Sequence, residues 1–227
     1  MEGYAERAFA DATLATHLAE FSVNLQTRIV VTNRKLGARG GGTYFATFKR
    51  DLALLMQDQS NADVRFSSMI DLYALPQDFP KWREAQRIEP PVTRVQFLQN
   101  AWSELVDDSR FLPFIQLHEF EALLCCNLAE LEKRIEDSAQ EIEALRQEVG
   151  TTSPEMINDG PTTAPSRRII RHIPSYEKNK VRVGAPTASA MRVMILNRYA
   201  TSSASCKASA LTPAARTAWK SATVRAV

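Results

Sequence analysis

Helix and strand patterns alternate along this chain, and the alternation leaves few folds open. Apolar residues recur at helical spacing in some segments, and short runs of β-branched and aromatic residues fall between them. The predicted helices cover residues 4–21, 44–57, 93–106, 128–149 and 166–173, and the predicted strands cover residues 28–32, 64–71 and 111–117. Because helices that alternate with strands act as crossovers between parallel strands, the pattern predicts an α/β domain with a mostly parallel sheet flanked by helices.

Composition and cysteine usage limit the class of protein. The 227 residues are 44% hydrophobic and 24% charged, as is ordinary for a soluble globular protein, and no apolar run approaches the roughly 18 residues of a membrane span. The N-terminus is acidic and lacks the features of a signal peptide, so we expect a cytoplasmic protein with no membrane partner. Cys125 and Cys126 are adjacent and Cys206 stands alone, which is neither a disulfide framework nor a zinc-binding pair. On an apolar helix, Cys125 and Cys126 are expected to be core residues.

Charge is distributed unevenly along the chain. The net charge is +2, yet no acidic residue follows Glu177, while seven basic residues lie after position 181. Residues 1–181 therefore carry about −5, which argues against a protein that coats nucleic acid generally. After residue 181, Ala, Ser and Thr dominate and the amphipathic pattern is weak. We expect residues 1–181 to form the domain, and residues 182–227 to be a basic tail that is either disordered or translated out of the ancestral reading frame.

Asp71 is the acidic residue whose surroundings are most informative. An apolar, β-prone approach through Val64, Phe66 and Ile70 runs into this acid, and the turn residue Pro76 follows soon after. A carboxylate at the end of a buried strand lies in the crevice where α/β proteins place their ligands. We therefore expect Asp71 to be one wall of an acidic, metal-binding site.

Further acidic residues lie beside predicted strand ends or helix starts: Glu2, Glu6, Glu119 and Glu121. Taken one at a time, each is better explained as a solvated residue at a helix start, where the helix dipole favours a negative charge. Their occurrence together points to a metal site, because Mg²⁺ and Mn²⁺ are held by one or two carboxylates with waters and substrate phosphates. In phosphoryl transfer such ions activate water and stabilise the leaving oxygen.

A basic, glycine-rich loop covers residues 33–42. Backbone N–H groups of such a loop can hold an anion at a helix start, but no Gly-Lys-Ser/Thr follows, so the loop is not a P-loop. Two interpretations stay open, a flexible loop ahead of a helix N-cap at Thr43 and a clamp for phosphate. The candidate contacts to nucleic-acid phosphates are Arg34, Lys35, Arg39, Arg167 and Arg168.

Five short motifs occur in an order that resembles one bacterial family. They are Glu2-Gly3-x-x-Glu6, Arg39-Gly40-Gly41-Gly42, Asp71-Leu72-Tyr73 with Leu75-Pro76 and Phe79-Pro80, Gln116-Leu117-His118-Glu119-Phe120-Glu121-Ala122-Leu123-Leu124, and Ile157-Asn158-Asp159-Gly160-Pro161 with Ala164-Pro165-Ser166. Over residues 1–181 they resemble the family known as domain of unknown function family 4276. That family is grouped with Toprim-like (topoisomerase–primase) domains. The resemblance implies a Toprim-like fold, nuclease chemistry with Mg²⁺ or Mn²⁺, an ATPase partner encoded nearby and a role in defence against phage.

The resemblance also implies roles for particular residues. In Toprim domains the first strand ends in a Glu, and a later strand ends in an Asp-x-Asp pair that binds Mg²⁺. By that resemblance Glu2 is the first-strand acid and general acid/base, Glu6 is a supporting ligand and Asp71 is the main metal ligand. The candidate catalytic residues are Glu2, Asp71 and Glu119, and the candidate metal ligands are Glu2, Glu6, Asp71 and Glu121.

The chain departs from the family pattern in three places. Tyr73 stands where the second Asp of the pair is expected, so coordination of two ions needs Asp78, Glu119 or Glu121 instead. The family's first strand precedes the Glu-Gly motif, and we expect that strand to be missing here. The residues after Arg182 do not resemble the family's amphipathic C-terminal helix, which favours a frameshift.

Two classes of function follow from the sequence. The leading hypothesis is a Mg²⁺-dependent nuclease or phosphotransfer domain that acts on DNA or RNA with an ATPase partner in phage defence. The alternative is a non-catalytic adaptor that regulates the ATPase, with its acids serving only as helix caps and ion pairs. A third hypothesis is an inactive product of a degraded gene.

Overall fold

The computed structural model divides the chain into two units, which we call the first unit (Met1–Leu117 with Ala208–Val227) and the second unit (His118–Lys207). It describes residues 3–33, 38–39, 45–59, 61, 63–133, 135–151, 156–157, 160, 162–176 and 223–226. No described helix is long and apolar enough to cross a membrane.

A parallel sheet lies at the centre of the first unit. The described strands, in chain order, are β1 (Asn24–Thr27), β2 (Val31–Asn33), β3 (Ala38–Arg39), β4 (Val64–Ser67), β5 (Ile70–Asp71), β6 (Phe111–Leu112), β7 (Ile115–Gln116) and β8 (Thr223–Ala226). Four of them form a sheet in the order β1-β8-β4-β6, and every neighbouring pair in it is parallel. The predicted α/β domain with a mostly parallel sheet flanked by helices is therefore confirmed.

The two predicted strands that lead to Asp71 and Gln116 are each interrupted once. β4 resumes as β5 and β6 resumes as β7, and β5 pairs with β7 in parallel. At the interruption the Ser68 hydroxyl donates to the Phe114 carbonyl oxygen at 3.0 Å and accepts from the Phe114 N–H at 2.9 Å. The Ser67 hydroxyl donates to the Leu112 carbonyl oxygen at 2.8 Å. Serine side chains thus satisfy backbone groups where the ladder is broken.

The strand predicted over residues 28–32 is only partly right. The parallel strand β1 lies just before it, and its residues alternate between exposed and half-buried. β2 covers the end of the predicted strand but pairs antiparallel with β3, outside the main sheet. Ile29 and Val30 are buried, so the apolar residues that suggested a strand contribute to the core without joining the parallel ladder.

Helices of the first unit account for most of its remaining described residues. They are α1 (Tyr4–Phe9), α2 (Ala15–Ala19), α3 (Phe45–Gln57), α4 (Trp82–Ala85) and α5 (Pro91–Val106). The helix predicted over residues 4–21 is confirmed as far as Ala19, but a π-helical turn at Ala10–Leu14 joins α1 to α2. Such turns are rare and occur often near functional sites.

Four aromatic rings connect the helices of the first unit to its sheet. Phe45 of α3, Trp102 of α5, Phe111 of β6 and Phe79 make edge-to-face contacts with ring centroids 4.9–5.8 Å apart. Each such pair adds about 0.5–1.5 kcal/mol beyond the area that it buries. This cluster fixes the start of α3 against the segment that follows Asp71.

The regular secondary structure described in the second unit is all helical. It contains a 3₁₀ helix at Phe120–Cys126 and the α-helices α6 (Leu128–Glu132), α7 (Ala139–Val149) and α8 (Pro165–His172). The single helix predicted over residues 128–149 is wrong, because Asp137 has a left-handed backbone with a φ of 54° and the chain turns there. α7 buries Ile142, Leu145 and Val149 and packs against α8. The apolar face of α7 is therefore used inside its own unit.

One strand lies in the segment for which we expected a tail. β8 lies between β1 and β4 and pairs in parallel with both over all four of its residues. Residues 177–222, residue 227 and the residues before Gly3 lie outside the described part of the chain. The domain boundary at residue 181 and the missing first strand therefore stay predictions.

Candidate functional site

Asp71 lies where the sequence predicted, at the carboxyl end of a strand. It is the last residue of β5, only 8% exposed, and a 3₁₀ turn at Leu72–Ala74 follows it directly. In the parallel pairing of β5 with β7, Asp71 stands in register with Gln116. The carboxyl ends of parallel strands are where α/β proteins bind ligands, so Asp71 is positioned on a rigid element at a favourable edge.

Gln116 is the second polar residue at this edge, and it is completely buried. Its Nε2 donates a hydrogen bond to the carbonyl oxygen of Leu117 at 3.1 Å, which orients the amide. Its Oε1 has no hydrogen-bond partner among the described residues. Most buried polar side-chain atoms do have such a partner, so this oxygen requires an explanation.

The register places the Asp71 and Gln116 side chains on one face of the β5–β7 pair. Side chains alternate between faces along a strand, so the preceding residues, Ile70 and Ile115, take the opposite face. Both isoleucines are buried in the core at about 1% exposure or less. An apolar face thus anchors the strand pair while the other face carries a carboxylate and an amide.

Sequence reasoning missed Gln116 as a site residue. In the sequence, Gln116 is the first residue of a family motif. The available signal was a Gln at the end of a buried β-prone run, in the same position relative to its strand as Asp71. Only the pairing of β5 with β7 places the two residues side by side.

Glu6 is buried near the start of α1, with 2% of its surface exposed. It is the third residue of that helix, and Gly3 is the N-cap. A Cβ added at Gly3 would lie 2.6 Å from Glu6 Oε2, so the carboxylate folds back over the glycine. Glu2, the other acid of this motif, lies outside the described residues.

Glu119 and Glu121 belong to the second unit, whereas Glu6 and Asp71 belong to the first. Glu119 Oε2 accepts a hydrogen bond from the Ser166 N–H at 3.0 Å, at the start of α8. Glu121 is buried within the 3₁₀ helix. Their assignment as a catalytic residue and a metal ligand stays a prediction.

His118 opens the second unit in a strained conformation. It is buried, and its φ of 65° is in the left-handed region. A residue other than glycine in that region costs about 1 kcal/mol or more, and such strain is concentrated at functional sites.

Asp78 caps a helix. Both of its carboxylate oxygens accept from the N–H of Phe45, at 2.9 and 3.1 Å, at the first residue of α3. The negative charge also lies at the positive end of the helix dipole. The carboxylate of Asp78 is therefore engaged at the start of α3. This structural role competes with the predicted role of Asp78 as a metal ligand in place of the missing second Asp. Tyr73, which occupies that position, is about half exposed.

The residues predicted to contact phosphate differ in their location and in whether their side chains are already hydrogen-bonded. Arg34 and Lys35 lie outside the described residues, and Arg39 lies in β3. Arg167 is exposed on α8. Arg168 points its guanidinium at Glu148 Oε1, 2.5 Å away, and at the Thr163 carbonyl oxygen, 2.7 Å away.

Glu148, at the end of α7, contacts three basic side chains of α8. Its carboxylate contacts Arg168 at 2.5 Å, Arg171 at 3.3 Å and His172 Nε2 at 2.5 Å. Partial burial by itself raises the pKa of Glu148, but the hydrogen bond from His172 and the charge of Arg168 outweigh it and hold the pKa below its usual value. This cluster joins α7 to α8 and engages the Arg168 guanidinium within the protein.

Cys125 is a core residue, as the sequence predicted. It is buried on the 3₁₀ helix, and burial raises the pKa of its thiol to about 12. A thiol that stays protonated is a poor nucleophile, so Cys125 is unsuited to covalent catalysis.

The donor set at Asp71 suits a hard cation. Within the described part of the chain, no group of three or more His, Cys, Asp and Glu side chains is placed to hold one metal ion. Mg²⁺ needs fewer protein ligands than that, because it keeps several waters and also binds substrate phosphates. A buried carboxylate beside a buried amide oxygen fits such an ion, whereas zinc prefers sulfur and nitrogen ligands.

Comparison with protein-family models identifies the family of the chain. The model of the family described as Domain of unknown function (DUF4276) matches residues 1–199. The chain belongs to this family. The resemblance read from the sequence motifs is thereby confirmed, and the match extends past residue 181. Searches of curated proteins and of solved structures each found no match.

Proposed function

We propose that the chain is a Toprim-like, divalent-metal-dependent nuclease or phosphotransfer domain of the cytoplasm. The observation that carries the proposal is Asp71, a buried carboxylate at the carboxyl end of a parallel strand. Burial of a carboxylate is costly unless hydrogen bonds or a cation compensate it. A rigid strand end that maintains such a group is typical of sites that bind ligands rather than of ordinary surface acids.

Asp71 would hold Mg²⁺ or Mn²⁺, with Glu2 and Glu6 as the further acids that the family resemblance implies. Such an ion supplies an activated water and stabilises charge on the leaving oxygen. Among the predicted phosphate contacts described with side chains, exposed Arg167 is better suited than Arg168, because the Arg168 guanidinium is bonded to Glu148. Contacts from basic residues to the sugar–phosphate backbone position a nucleic acid without reading its sequence. An ATPase partner and a role in phage defence are part of the same proposal.

The test is cleavage of labelled DNA and RNA by the purified chain with Mg²⁺ or Mn²⁺. We expect cleavage that Asp71→Asn and Glu2→Ala each abolish. Asp58→Asn is a matched control, because Asp58 is an exposed acid in the same unit. Cleavage by Asp71→Asn at the rate of the Asp58→Asn control would refute the nuclease assignment.

A second candidate function is a non-catalytic adaptor that regulates the ATPase. The acids at positions 78 and 119 accept hydrogen bonds from helix N-termini, and Glu148 lies in an ion-pair cluster. These are the uses that an adaptor would make of its acids. Titration calorimetry with MnCl₂ separates the two functions: absence of binding at millimolar concentration supports the adaptor, and binding that Asp71→Asn removes supports the metal-dependent domain.

A further inference from the structure

The buried amide of Gln116 is not explained by the packing of the fold. Its Nε2 donates a hydrogen bond to the Leu117 carbonyl oxygen. Because a carbonyl oxygen pairs with the nitrogen end of an amide, this bond assigns the other end to Oε1. Its Oε1 is buried and has no hydrogen-bond partner among the described residues. A buried oxygen without a partner lowers stability, and an apolar side chain of similar volume avoids that cost. Because it lowers stability, a buried oxygen of this kind is expected at sites where it binds a ligand.

The position of this oxygen relative to Asp71 indicates which ligand it serves. The two residues stand in register on neighbouring strands and share one face. Strands in a sheet are about 4.8 Å apart, and the oxygens around a Mg²⁺ lie about 2.1 Å from the ion. Side chains from such a pair can therefore converge on a single cation, and an amide oxygen is a ligand that hard cations accept.

We propose that Gln116 Oε1 is a direct ligand of the divalent cation held by Asp71. The inference rests on the proposed metal-dependent function and adds a neutral oxygen donor to it. One carboxylate and one amide select hard cations such as Mg²⁺, Mn²⁺ and Ca²⁺ over Zn²⁺. They also leave most coordination positions to water and phosphate oxygens.

Two substitutions at this position separate a ligand from a structural residue. Gln116→Met keeps the approximate volume and removes the oxygen. If Oε1 is a ligand, the affinity of Gln116→Met for Mn²⁺ falls about tenfold or more. The same substitution removes the Nε2 hydrogen bond to the Leu117 carbonyl oxygen, so its metal-free Tm falls whatever the role of Oε1, and the affinity decides that role. Gln116→Glu replaces the neutral oxygen by a charged one. We expect it to lower the metal-free Tm, because it buries a charge, and to tighten Mn²⁺ binding.

The experiment is titration calorimetry of the full chain with MnCl₂, paired with thermal denaturation in the presence of EDTA. Gln86→Met is the matched control, because Gln86 is exposed in the same unit, and it should change neither quantity. If Gln116→Met binds Mn²⁺ like the wild type while Asp71→Asn does not, the role of Gln116 is refuted and the metal site at Asp71 stands. A loss of Mn²⁺ affinity in Gln116→Met that Gln116→Glu shares, in place of the expected gain, likewise makes the amide purely structural. If the wild type binds no Mn²⁺ at millimolar concentration, both proposals fall.

Discussion

Asp78 offers a sharp test of whether an acid near the candidate site caps a helix or binds metal. Both of its oxygens accept from the Phe45 N–H at the start of α3, at 2.9 and 3.1 Å. Phe45 in turn packs edge-to-face against Phe79 and Trp102, so the cap supports the aromatic cluster. Replacement of an N-cap acid by Ala costs about 1 kcal/mol and at most about 2 kcal/mol. For a chain of this size, each 1 kcal/mol corresponds to a fall in Tm of about 2–4 °C.

Asp58 provides the control for this prediction, because it follows the other end of the same helix. A carboxylate near a helix C-terminus is repelled by the helix dipole, so Asp58→Ala should leave stability unchanged or raise it by about 0.3 kcal/mol. We expect urea denaturation to give opposite signs, or at least clearly different magnitudes, for Asp78→Ala and Asp58→Ala. Equal changes in the free energy of unfolding would refute the capping role. Loss of Mn²⁺ binding in Asp78→Ala, with no loss of stability, would instead make Asp78 a metal ligand.

Three further predictions concern other parts of the molecule. Glu148→Gln should cost about 1–2 kcal/mol at neutral pH, because a partly exposed charged hydrogen-bond acceptor is lost. Since the pKa of Glu148 is lower in the folded chain than in the unfolded one, its stabilisation is complete above the unfolded value of about 4.3 and is lost as the pH falls through the folded value. Gly3→Ala should cost about 1 kcal/mol in chemical denaturation, because the new Cβ would lie 2.6 Å from the Glu6 carboxylate, which is buried and has little room to move, and Glu6→Ala should remove most of that cost. Cys125 should resist iodoacetamide at about pH 8 until the chain is unfolded, as mass spectrometry can show, whereas the less buried Cys126 should react in the native state.

Each of these predictions has a result that contradicts it. A stability difference between wild type and Glu148→Gln that stays constant as the pH falls through the folded pKa of Glu148 would show that the charge of Glu148 is not responsible. Additive costs of Gly3→Ala and Glu6→Ala would mean that the two positions do not interact. Equal rates of alkylation at Cys125 and Cys126 in the folded chain would mean that Cys125 is accessible.

Patterns in the sequence predicted the helices and strand ends that are determined by residues close together in the chain. The end of α3 and the helix α5 follow from apolar residues at helical spacing, a pattern that is visible within a few turns of one segment. Asp71 could be placed at a strand end for the same reason, since the apolar approach and the turn residues after it are adjacent to it.

The contacts that the sequence did not reveal share one property, which is that the two partners are distant in sequence. Asp78 caps a helix that starts 33 residues earlier, and Glu119 bonds the N-terminus of a helix 47 residues later. Nothing near either acid distinguishes a cap from a metal ligand. The interruption between β4 and β5 is likewise secured by Ser68 with Phe114, 46 residues away.

The amino-acid pattern by itself determined the α/β class, the family and the burial of an acid at a strand end, because these depend on periodicity and on short motifs. The tertiary structure decided which side chains share a face. It paired β5 with β7 and so set Gln116 beside Asp71, and it gave Asp78, Glu119 and Glu148 backbone or ionic partners. The physical reason is that strand register and helix capping are settled by packing between segments far apart in the chain, whereas propensity acts only over a few residues.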